Sequence, residues 1–267
     1  MTAAIRAEFR KFFTTRLWWG MAIAIFVSGI LFALLFGFLL TGEEATGGAG
    51  PGGMPTGTDE QIVSSVYTGG LGVGYLLTLT IGVLQIGSEY RHKTITGTFL
   101  GVPKRGRVML AKVIALLGLG ALYGLLSLAG SVITGAIVLN ARGFDPFPSS
   151  DIIRTLALGL LVLGLWGLIG LGAGILIPNQ VAALLIAVGV AWIVEPLIGF
   201  ALTFWDWGAE NIAKFLPSSA TNAMINAVQN SPDEVRLEWW GGALVLALYA
   251  AVLAGVGSWR TVRADIS

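Results

Sequence analysis

Residues Leu17 to Leu40 read LWWGMAIAIFVSGILFALLFGFLL, an unbroken run of 24 residues without a charge, bounded by Arg16 and Thr41. A helix rising 1.5 Å per residue needs about 20 apolar residues to cross a hydrocarbon core of about 30 Å. The apolar core of a cleavable signal is only about 7–15 residues long. Although Arg6, Arg10, Lys11 and Arg16 precede it, the run therefore reads as a retained membrane-spanning helix. Five further runs of the same kind follow at 62–87, 113–139, 156–177, 181–205 and 239–259. Together they predict an all-α membrane protein with one transmembrane domain over residues 1–267 and six spans.

Composition agrees with that class. The 267 residues are 55% hydrophobic and only 12% charged, whereas soluble domains average about 25% charged residues. A net charge of +1 gives no reason to expect nucleic-acid binding. The absence of cysteine removes disulfides, thiolate metal sites and cysteine nucleophiles. A single histidine argues against a multi-histidine metal site or a Ser-His-Asp triad.

Six crossings put both termini on one side, and the basic residues choose it. With the termini in the cytoplasm, twelve of the sixteen bases face inward. Only Arg142, Arg154, Lys214 and Arg236 face outward, as the positive-inside rule requires. Six of the inner bases crowd into one segment, 88–112, SEYRHKTITGTFLGVPKRGRVMLAK. In it Ile95 and Phe99 share a helical face, as do Thr94 and Thr98, which describes a short surface helix ended by Pro103. Two amphipathic segments flank the spans. Within 1–16, Ile5, Phe9, Phe12 and Phe13 lie opposite Arg6, Arg10 and Lys11, a pattern for an interfacial helix. In the outer region 206–238, Ala220, Ala223, Met224, Ala227 and Val228 recur at helical spacing in a segment too short to span. It is expected to lie along, or dip into, the outer leaflet. Outer residues 41–60 form a Gly-rich connector ending in a capping-box pattern at Thr58 and Gln61.

Catalytic chemistry is hard to find. Gly101 to Val108 has the spacing of a phosphate-binding loop, but Arg107 and Val108 stand where the chemistry needs Lys and Ser/Thr. No nucleotide, metal or other cofactor site is expected, and the chain is not read as an enzyme. Glu195 is the one ionisable group deep in a span, with Pro196 beside it. Two readings stay open: an interfacial glutamate next to a helix break, or part of a translocation route. Gln85, Trp166 and Trp192 are the other candidates to line such a route. The pairs Gly120/Gly124 and Gly170/Gly174 suit close helix packing.

The whole layout resembles the ABC-2 type permeases, membrane subunits of ATP-binding-cassette exporters. The residues that carry the likeness are AEFRKFFTTRLWW before the first span, EYRHKTITGTFLGVPKRGRVMLAK after the second, and LPSSA before the last. This chain has Lys93-Thr94 where members often read Gly-Thr, and Lys104-Arg105 where a Ser-Arg often follows the proline. The resemblance implies a type V exporter-like architecture in a bacterial cell membrane. It also implies a separate ATPase subunit carrying ATP and magnesium, and a second copy or homologous permease. Glu89, Tyr90, Arg91, Thr94, Thr98, Pro103, Arg105 and Lys112 would couple the chain to the ATPase. The implied function is export of an apolar or amphipathic compound such as a drug, antibiotic or lipid. The alternatives are a self-contained secondary transporter or channel using Glu195, or a regulatory or immunity protein on the same scaffold.

Overall fold

A computed structural model of the chain describes residues 2–42, 57–92, 105–228 and 235–263. Among these residues the structure is all-helical, without a strand. Six helices are long and apolar enough to cross a membrane. An amphipathic helix α1 (Thr2–Phe13) leads through a short turn into α2 (Leu17–Leu40). Then come α3 (Asp59–Thr68), α4 (Leu71–Arg91), α5 (Arg105–Ala141), α6 (Asp151–Leu176) and α7 (Gln180–Leu202). Two short helices, α8 (Asp206–Asn211) and α9 (Pro217–Met224), precede the last, α10 (Trp239–Arg263).

Helix α6 is the axis of the fold. Of its most apolar stretch 72% is buried, against 17% for α7, 22% for α10 and 28% for α2. It packs on α4, α5 and α10, while α2 lies against α5. Glycines make the α4–α6 crossing close: a Cβ on Gly82 would come within 2.7 Å of the Leu171 amide nitrogen. Tyr75 of α4 and Trp166 of α6 stack in the middle of this contact, ring centroids 4.4 Å apart.

Three helices depart from the runs read in the sequence. The second apolar run is divided, because α3 ends at Thr68 and α4 starts at Leu71. Thr58 and Gln61 do form a capping box, but it opens α3, not the span itself. Gly70 occupies the break and faces Gly29, with room for no side chain: a Cβ there would sit 2.8 Å from the Gly29 Cα. The third run begins earlier than its charges suggest. At 37 residues, α5 is about 55 Å long and carries Lys112 inside the fold. The fifth contains a π-helical turn, Val190–Val194, just before Pro196. Proline has no N–H to donate to the carbonyl four residues back, and the ladder shifts so that the Glu195 N–H reaches Val190 O.

Candidate functional site

The bases of α1, the last turn of α4 and the first turns of α5 meet at one end of the bundle, here called the basic end. Glu8 and Lys11, one turn apart on α1, turn toward the bundle. Glu89 comes from the end of α4 and Lys112 from α5. Lys112 Nζ lies 2.9 Å from Glu8 Oε2 and 2.8 Å from Glu89 Oε1. Lys11 Nζ lies 2.8 Å from Glu8 Oε1 and 2.6 Å from Glu89 Oε1. Each carboxylate thus touches both ammoniums, and the ring closes with no net formal charge. Gln85, one turn before Glu89, donates its Nε2–H to Glu8 Oε2 at 3.1 Å. Lys112, Glu8 and Glu89 are only 1%, 3% and 5% exposed. Charges so deeply buried persist only when paired and hydrogen-bonded. Burial pushes the Glu8 carboxyl up, but Lys112 and Lys11 overcome it and hold the group below its ordinary range. For Lys11, burial works downward, and the hydrogen bonds to Glu8 and Glu89 more than reverse it.

This arrangement changes what two of the predicted coupling residues can do. Glu89 and Lys112 face each other inside the protein, so a partner's surface has no direct access to them. Their place is to tie α1, α4 and α5 together. Tyr90 is half-buried against the same core, and Arg91 is exposed at the end of α4. Arg105 starts α5, with its side chain outside the described residues. Thr94, Thr98 and Pro103 also lie outside the described residues, as does the first half of the apparent phosphate loop, 101–104.

At the opposite end, polar groups from three helices hold α9 and the turn that leads into it. Its N-cap is Leu216, which has no side-chain acceptor. Glu195 of α7 takes over, accepting the Ser218 N–H at 2.5 Å, where a carboxylate also favours the helix dipole. The Trp166 indole donates to Thr221 Oγ1 at 2.9 Å, and Thr221 donates in turn to Pro217 O. Tyr249 of α10 donates to Phe215 O at 3.3 Å. Ala220, Thr221 and Met224 are buried; α9 therefore dips into the bundle and does not lie flat on it. The helix stops at Met224, short of Ala227 and Val228, because Asn226 turns the chain with φ 48°.

Of the four residues expected along a route, only Trp166 and Glu195 come to one place, where both bond α9. Gln85 belongs to the charge ring, Trp166 is 1% exposed in the core, Glu195 caps α9, and Trp192 is 66% exposed on the outer side of α7. Glu8, Gln180, Tyr75, Ser218 and Thr221 were not singled out in the sequence. Only Glu8 left a sign there: it is the one acid on α1, set one turn from Phe12 on the inward face. Searches of protein-family models, curated proteins and solved structures found no match to this chain.

The cap makes a test possible in a chain without native cysteine. Glu195→Ala removes the acceptor of the Ser218 N–H, a loss of about 1–2 kcal/mol for an N-terminal cap. Maleimide labelling of a cysteine introduced at Asn222 is expected to quicken about tenfold. Glu195→Gln keeps an acceptor and should label within about twofold of the parent. Equal rates in all three would show that Glu195 does not hold α9.

Proposed function

We propose that the chain is the membrane-spanning permease subunit of an ATP-binding-cassette exporter. The observation that carries this reading is the buried ring of Glu8, Lys11, Glu89 and Lys112. It clamps both feet of the 93–104 segment to α1, since α4 enters that segment at Arg91 and α5 leaves it at Arg105. A push or pull on the segment is delivered to three helices at once, which is the property a coupling loop needs. The ATPase and its magnesium reside on a separate subunit docked at the basic end, which faces the cytoplasm of a bacterium. ATP-driven closure of that subunit biases the chain between inward- and outward-facing states. The least-covered spans, α2, α7 and α10, offer faces to lipid and to a second permease. The cargo is an apolar or amphipathic compound. A self-contained transporter working through Glu195 has less support, because that carboxylate is already committed to the α9 backbone.

The test is purification of the tagged chain from its native membrane, with identification of bound proteins by mass spectrometry. The parent chain should bring down an ATPase with Walker motifs. Arg91→Glu, which reverses an exposed charge at the foot of the segment, should lose it while keeping its melting temperature. If the parent chain recovers no ATPase, the exporter reading fails and the self-contained transporter gains.

A further inference from the structure

A cavity of about 360 Å³ lies toward the α9 end of the bundle, between the last turns of α2, the break at Gly69-Gly70 and α9. Phe36, Leu40, Leu71 and Ile225 give it apolar walls, and no acid or base is among its described lining residues. Three of its polar side chains are already committed. Thr68 donates to Ser64 O, Thr221 donates to Pro217 O, and Ser65 Oγ accepts the Val228 N–H. The other two, the Tyr75 phenol on α4 and the Asn222 amide on α9, have no hydrogen-bond partner among the described residues. Neither is sealed in the interior, so both are open to a ligand. Gly72, exposed at the rim, points the same way. It lies within α4 without a positive φ, so no turn requires a glycine. A Cβ built on it would meet nothing within 4 Å, whereas Gly69, Gly70 and Gly74 are each pressed against a neighbouring helix. A glycine inside a helix costs stability, and neither conformation nor packing accounts for this one. Its effect is to leave the cavity wide.

We infer that this cavity binds an uncharged molecule with an apolar body and a hydroxyl or carbonyl group. Small-molecule pockets run from about 300 Å³ upward and combine apolar walls with a few placed polar groups. The phenol offers a donor and an acceptor, and the amide two donors and an acceptor, so either can pair with a hydroxyl or a carbonyl. An ionised group would enter without a counter-charge and lose its hydration uncompensated. Glu195, already committed to the Ser218 N–H, is not among the lining residues. A bare acyl chain would fill the apolar part but leave Tyr75 and Asn222 without partners. Binding here needs no ATPase and does not rest on the transport reading.

The experiment is photolabelling of the full chain in nanodiscs with decanol, decane, decylammonium and decanoate, each carrying the same mid-chain diazirine. Labelled peptides are read by mass spectrometry. Labelling within 36–40 and 71–75 is divided by labelling around Leu185, 68% exposed on α7, which removes differences in partition into the bilayer. Decanol should exceed decane in this ratio by about three- to tenfold, the factor for one neutral hydrogen bond, and should exceed both ions. Tyr75→Phe with Asn222→Leu keeps a ring to stack on Trp166 and should bring decanol down to decane. Gly72→Leu, whose side chain enters free space, should lose the cavity labelling and leave α7 labelled. Equal ratios for decanol and decane in the parent chain would mean a cavity that takes any chain, a lipid tail included, and overturn the inference without any variant. A higher ratio for either ion overturns it too, as does unchanged labelling in folded Gly72→Leu.

Discussion

Lys112→Met is expected to cost about 3–5 kcal/mol of stability, the range for breaking a buried ion pair from one side. The side chain is 1% exposed and holds Glu8 and Glu89 apart from each other's charge. Without it, two buried carboxylates share Lys11 alone, and the ring carries an unbalanced negative charge. In detergent the melting temperature should fall by roughly 10 °C, taking about 2–4 °C per kcal/mol for a chain of this size. The rescue follows from charge, not shape. Lys112→Met with Glu8→Gln restores one acid to one base and should recover more than half of the loss, although it removes two native groups. If the double variant is no better than the sum of its parts, charge balance is not what holds this end together.

The same ring has a defined pH behaviour. Glu8 is held below its ordinary value of 4.5 in the folded chain, so its contribution is complete above about that pH and fades as acid protonates the folded state. Lys11 is raised above 10.5, so its contribution is complete below that value and fades as pH climbs beyond it. Between these limits the parent chain should show a flat stability from this site. In Lys112→Met the sign inverts, because an uncompensated buried carboxylate has its folded pKa raised. Lowering the pH from 7 to 5 should narrow the variant's deficit.

How far the sequence could be read depended on whether a residue's partner was near it in the chain. The first span was legible to the residue, since Arg16 and Thr41 mark a change of solvent at Leu17 and Leu40. The second and third spans were cut short at Gly87 and Val113 because Glu89 and Lys112 looked like groups seeking water. Their partners on α1 are far off in sequence, Glu8 104 positions from Lys112 and Lys11 78 positions from Glu89, and hydropathy carries no information about such pairing. The break at Gly69-Gly70 was hidden for another reason. Glycine counts as apolar, and only the presence of Gly29 opposite reveals why the helix divides there. Glu195 was rightly seen as anomalous, but its acceptor role needed the α9 backbone, which periodicity placed correctly and carried four residues too far.

The α4–α6 crossing gives the other large effect. A Cβ built on Gly170 would stand 2.7 Å from the carbonyl carbon of Leu79 and 2.9 Å from its Cα. Real Cβ atoms do not approach so closely, and the obstacle is main chain. No rotamer change relieves it, so α4 and α6 must move apart and loosen the Tyr75–Trp166 stack between them. Overpacking of this kind costs about 1–3 kcal/mol and sometimes more. Gly170→Ala should lower the melting temperature by roughly 5–10 °C, and Gly170→Val should prevent recovery of folded protein. Leu79→Ala should not rescue Gly170→Ala, because shortening the Leu79 side chain leaves the blocking carbonyl where it was. Gly20, with nothing within 4 Å of its hypothetical Cβ, provides the contrast. There alanine should be neutral or stabilise α2 by about 0.5–1 kcal/mol through helix propensity. Equal melting temperatures for Gly170→Ala and Gly20→Ala would mean that the two helices do not cross this closely.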